Sequence, residues 1–161
     1  METAKHRFFT FLDAAVAPDN KLICIAIHSA YDLGVLSSTV HVTWALAAGG
    51  RLGVGNDPVY LKTTCFDAFP FPDTPAALRA RIAELAERLD RHRKDALARD
   101  RRVTMTGMYN VVAKLRSEEA LDVAEQRVHT LAACGVLRDL HDELDALVAS
   151  AYGWSWPEDR P

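Results

Sequence analysis

Within this 161-residue sequence, the string with the most chemical potential is Asn56-Asp57-Pro58-Val59-Tyr60. A polar side chain next to proline carbonyls can accept hydrogen bonds from an exocyclic amine. An aromatic ring just beyond can stack on a base swung out of its duplex. Amino-directed methyl transfer uses two prolines in such a loop, and Val59 stands where the second would be. It also places the loop after a parallel strand of a doubly wound sheet, which Gly50-Arg51-Leu52-Gly53-Val54-Gly55 is not. Gly53-x-Gly55 lacks the third glycine and the following helix of a dinucleotide cradle. The string is therefore read as a turn in a binding loop.

Other chemistries are weaker still. The sequence has no Gly-x-Ser-x-Gly elbow, no phosphate-binding Gly-x-x-x-x-Gly-Lys loop and no His-Glu-x-x-His. His141 beside Asp142-Glu143, or together with His129, offers metal-ligand types. A lone histidine on a Leu/Ala-rich helix is more often a hydrogen-bonded or surface residue. Cys24, Cys65 and Cys134 are odd in number and widely spaced, which argues against a disulfide framework or structural zinc and for a reducing cytoplasm. No catalytic, cofactor or metal constellation is assigned to the chain.

The elements that must position any binding loop divide near residue 73. Arg7-Phe8-Phe9-Thr10-Phe11-Leu12 and Lys21-Leu22-Ile23-Cys24-Ile25-Ala26-Ile27-His28 have the composition of strands. Ala17-Pro18-Asp19-Asn20 between them could close a hairpin. The spacing from Ser37 to Leu46 predicts a helix capped by Ser37 or Ser38 and ended by Gly49-Gly50. Thr63-Thr64-Cys65-Phe66 reads as a short returning strand. Three prolines in Phe69-Pro70-Phe71-Pro72-Asp73-Thr74-Pro75 then break both ladder and helix. Beyond them, Thr74 and Pro75 predict a helix start, and Leu78, Ile82, Leu85, Leu89, His92 and Ala96 form a heptad-like seam. Further helices are expected over about Thr106–Leu115, from the capping box at Asp122-Val123-Ala124-Glu125, and over about Val136–Ala151 with Leu137, Leu140, Leu144 and Leu147 inward. The expected fold class is α+β: a small mixed α/β subdomain over 1–73, then an all-α bundle of about four helices over 74–161.

With 49% hydrophobic residues the chain can build a core, and a net charge of -3 excludes a strongly basic nucleic-acid binder. The charge is uneven. Residues 74–102 carry nine Lys/Arg against five Asp/Glu, whereas residues 103–161 carry five against ten. Opposite charges four apart on a solvated helix face are the plain reading of the first group. No apolar run is long enough for a membrane span.

Taken together, several strings carry a resemblance. Leu52 to Tyr60, followed by Thr63-Thr64-Cys65-Phe66-Asp67-Ala68-Phe69-Pro70-Phe71-Pro72, resembles the end of a target-recognition domain in the MmeI-like, SAM-dependent DNA methyltransferases of restriction–modification and phage-defence systems. Lys5-His6-Arg7-Phe8-Phe9 and Tyr31 to Ser38 are similar to the same region. Thr104-Met105-Thr106-Gly107-Met108-Tyr109-Asn110 and Leu137 to Asp145, with Ala151-Tyr152-Gly153-Trp154, resemble the family's C-terminal helical segment.

The resemblance implies that residues 1–73 are the C-terminal portion of a recognition domain and that the chain is a fragment. A methyltransferase domain holding S-adenosyl-L-methionine would precede residue 1, and Met1 would be an introduced or misassigned start. It implies double-stranded DNA as partner, adenine as the modified base and no catalytic role for these residues. On this reading Lys5, Arg7, Arg51 and Lys62 meet phosphates, while His41, Asn56 and Tyr60 stand nearer base edges or sugar. Asn56 and Asp57 fit an Asx-type turn equally, and Tyr60 fits a core. The alternative function is a helical protein-interaction module docking on a separate catalytic domain. The isolated chain is expected to bind no S-adenosyl-L-methionine and to transfer no methyl group. Calorimetry and a labelled methyl-transfer assay on mixed-sequence DNA check this, and turnover abolished by replacing Asp57 or Tyr60 would restore the catalytic loop.

Overall fold

A computed structural model describes residues 5–54 and 57–156. Its elements, in order, are α1 (Ala30–Ser37), α2 (Thr39–Ala48), β1 (Gly50–Leu52), β2 (Asp57–Val59), α3 (Ala76–Arg99), α4 (Met105–Arg116), α5 (Val123–Ala132) and α6 (Cys134–Ala151). A π-helical turn, Lys62–Phe66, follows β2. The fold is α+β, with a single antiparallel pair, β1–β2, among the described residues.

The first half departs from its expected strands. Residues 7–12 and 21–28 run as non-helical chain with no ladder partner among the described residues. Alternation survives without a sheet: Ile23, Ile25 and Ile27 are half-buried while Leu22, Cys24, Ala26 and His28 are exposed. The strand composition is thus satisfied by laying one face on the helices rather than by pairing. Asp13 and Asp19 form local turns through their carboxylates, accepting from Ala15 N at 2.8 Å and Lys21 N at 2.9 Å, and no hairpin joins the two segments. Thr63–Phe66 is helical rather than extended, because the Cys65 amide reaches back to the Leu61 carbonyl (2.7 Å) and the Asp67 amide to the Lys62 carbonyl (2.8 Å).

The helix expected from a Ser37 or Ser38 cap to Gly49-Gly50 is α2, and α1 precedes it unforeseen. Ser38 sits in extended conformation between them, and its Oγ accepts from the His41 amide to start α2. Gly34 lets α1 lie against α3, since a Cβ there would come within 2.8 Å of the Ile82 methyl. Gly49 ends α2 where a Cβ would strike the Val59 carbonyl. Thr74 does not cap α3. Its hydroxyl is shared with the Tyr31 hydroxyl at 2.6 Å, and Pro75 occupies the cap.

The heptad-like seam is buried within the chain. Ile82, Leu85, Leu89 and Ala96 join Tyr31, Val35, Val40 and Phe69 from the first half and Leu137, Leu140, Leu144 and Val148 from α6 in one core. The seam packs against helices, as its spacing suggests, and those helices are α1 and α6 of the same chain. Asp122 and Glu125 close the expected capping box on α5, at 2.8 and 2.9 Å.

Polar bonds join the halves as well. Arg93, 1% exposed, donates to the Phe9 carbonyl (2.7 Å) and to the Tyr109 hydroxyl (2.9 Å), with Asp90 beside it at 3.6 Å. The Thr10 hydroxyl donates to Asp90 (2.6 Å), Lys5 to Asn110 (2.9 Å) and Tyr152 to the Pro70 carbonyl (2.8 Å). Asp145, 1% exposed, accepts from the Thr39 amide (2.7 Å) and hydroxyl (2.6 Å), so that α6 caps α2. No helix is long and apolar enough to cross a membrane among the described residues.

This packing can be probed at two buried positions of α6. Leu144 is fully buried, so Leu144→Ala should cost about 2–5 kcal/mol in a denaturant titration; an unchanged midpoint would place α6 outside the core. The other position is His141, whose Nε2 meets the Tyr109 hydroxyl at 2.7 Å. Burial, helped by Arg93 and Arg116, pushes its pKa down to about 3. The unfolded chain therefore takes up a proton there near pH 6.5 while the folded chain does not. Stability from this group is complete above pH 6.5 and falls as the pH drops toward 3. The raised pKa of buried Asp145 works in the opposite sense. Melting temperature against pH should fall less steeply for His141→Gln than for the parent between pH 6.5 and 4; parallel curves would contradict the assignment.

Candidate nucleic-acid interface

The β1–β2 ribbon is one of the exposed parts of the first half. Arg51 pairs with Pro58 in register, flanked by Gly50 opposite Val59 and Leu52 opposite Asp57. Proline lacks a ladder donor and is tolerated in such a short edge pair. At the tip Leu52 is 63% exposed and Val54 fully exposed, and Gly53 turns the chain with a φ of +75°. A two-stranded ribbon of this kind is narrow enough to enter the major groove of B-form DNA.

The cations lie around this ribbon. Arg51 is exposed, with its guanidinium 3.5 Å from the Leu46 carbonyl. Arg7 is half-buried and donates to the carbonyl of Pro58, so Arg7 and Arg51 converge on one residue of β2. Burial lowers the Arg7 pKa, countered in part by Cys65 and Tyr60; an arginine keeps its charge at neutral pH regardless. Lys62 opens the π-helical turn and is exposed. Lys5 is exposed, but its ammonium is engaged by Asn110 on α4. Asn56 lies outside the described residues.

His41 and Tyr60 are placed differently from the expectation. They are 0% and 4% exposed, and His41 Nε2 meets the Tyr60 hydroxyl at 3.0 Å. Phe9 packs edge-on against both rings, and Phe69 meets His41 edge-on at 4.4 Å. Burial drives the His41 pKa down to about 4 and raises that of Tyr60. Both rings thus form a neutral platform under the ribbon, buried from solvent rather than exposed as a contact to a base edge or sugar would have them. The platform also answers the Asn56–Tyr60 string: its aromatic ring is packed inward rather than offered for stacking.

Beside Arg7 lies an apolar cleft of about 320 Å³, walled by residues 6–12 and 22–27, with Leu33, Leu36 and Tyr60 at its base. Its polar lining includes Arg7, Thr10, the free thiol of Cys24 and Tyr60. The histidines with metal-ligand potential do not converge. His141 faces Tyr109, Asp142 pairs with Arg116, and no cluster of three potential ligands occurs among the described residues. The buried Arg93 and Asp145, which hold the ribbon's support onto the helices, were missed in the sequence.

No curated protein and no solved structure matches this chain. Residues 2–73, which carry the ribbon, its cations and the platform beneath it, match the family model described as MmeI, target recognition domain.

Proposed function

We propose that the chain recognises double-stranded DNA for a restriction–modification methyltransferase, with β1–β2 as the element that reaches the duplex. The observation that carries this is the match of residues 2–73 to the MmeI target recognition domain. It is supported by the exposed ribbon bearing Arg51, with Lys62 beyond it in the chain. Recognition and chemistry are separable tasks, because phosphate contacts fix register while the flipped base is handled elsewhere. Methyl transfer to adenine, with S-adenosyl-L-methionine, then belongs to a separate methyltransferase domain. That domain is the second partner. The helical half acts as the ribbon's support, since its seam is filled by α1 and α6.

Of the cations expected to meet phosphates, Arg51 and Lys62 are the two exposed ones near the ribbon that no carboxylate engages among the described residues. Each phosphate neutralised adds roughly 0.9 to the slope of log K against log salt. Anisotropy titrations of a fluorescent duplex across a salt series should therefore show Arg51→Ala/Lys62→Ala flattening the slope by about two. A slope that survives both substitutions would remove the ribbon from the DNA surface.

A further inference from the structure

The face of α3 beside its buried seam carries charge that nothing in the chain uses. At 100° per residue, Arg81, Arg88, Arg91 and Arg99 fall within a sector of roughly 80°, spread over about 27 Å of helix. All four are exposed, and none has an ion-pair or hydrogen-bond partner among the described residues. Several other cations near them are engaged. Lys94 is bound to Asp90, Arg102 to Asp100 and Arg93 to the core, and Arg79 lies 4.0 Å above the Tyr31 ring. Glu84 and Asp95 share the sector, so the stripe carries a net charge of about +2 by formal charges at neutral pH. The chain as a whole carries -3.

Arg88 and Arg91 also line a shallow trough of about 260 Å³ between α3 and α6, with Val136 and Leu140 on its far side. We propose that this arginine stripe is a second DNA surface, gripping the phosphate backbone of duplex DNA, with the DNA reading of the first half as its premise. Charge complementarity chooses the occupant: a guanidinium fork matches a phosphate bidentately, and a row of forks matches a polyanion. A protein partner would call for a large apolar centre. No large apolar residue lies within the arginine sector, and of the trough's apolar residues Leu140 is buried and Val136 half-exposed. A second surface also counters the unfavourable net charge, which a two-cation ribbon alone does poorly.

The test compares two variants of the whole chain in the same salt series. Replacing Arg81, Arg88, Arg91 and Arg99 together by Gln should flatten the slope by about two to four, while replacing all four by Lys should preserve it. Both should melt with the parent, because the four side chains are exposed. An unchanged slope in the Gln variant, with Arg51→Ala/Lys62→Ala still flattening it, overturns the stripe and leaves the ribbon standing. A Lys variant that loses as much slope as the Gln variant also overturns it, since charge would then not set the contact. Failure of the parent chain to bind any duplex overturns the functional reading itself.

Discussion

One buried guanidinium organises this molecule. Arg93 leaves water in the C-terminal third of α3 and donates to the Phe9 carbonyl and the Tyr109 hydroxyl, beside the carboxylate of Asp90. Taking a charge out of water costs several kcal/mol, and only bonds to three parts of the chain offset that cost. Phe9 is thereby fixed, and with it the ring that packs on His41 and Tyr60 beneath the ribbon. The path from the helical half to the candidate interface is short: Arg93, Phe9, Tyr60, β2.

This explains how a first half with a single strand pair among its described residues holds its shape. A two-stranded pair is marginal alone. Here the pair is braced by Arg7 on Pro58 and by Gly49 packed under Val59, next to a small cluster of Ala45, Tyr60 and Cys65 on which Phe9 packs. Asp145 and Tyr152 add bonds from the far end of the chain to Thr39 and Pro70. The first half is thus supported by the helices across the proline-rich seam at residue 73.

Much of the helical half was legible because its signals are local. The spacing of Ile82, Leu85, Leu89 and Ala96, the capping box at Asp122 and the leucines of α6 each act within two or three turns. The strands were not. Residues 7–12 and 21–28 have strand composition, but a strand needs a partner as well as a pattern, and their side chains found the helices instead. Thr63–Phe66 shows β-branched composition overridden by a backbone turn. The buried charges were hidden by residue type, although Arg93 stands four after Leu89 and three before Ala96, on the seam itself. His41 is similar: it stands four before Ala45 on α2, and both are buried.

DNA meets the ribbon, on this reading, while the platform beneath stays closed. Amide hydrogen exchange on the whole chain, with and without a duplex at low salt, addresses that directly. Added protection is expected across Gly50–Val59 and along exposed α3, with the amides around His41 and Tyr60 unchanged. Protection confined to α4–α6, or faster exchange at His41 and Tyr60 on binding, would contradict it.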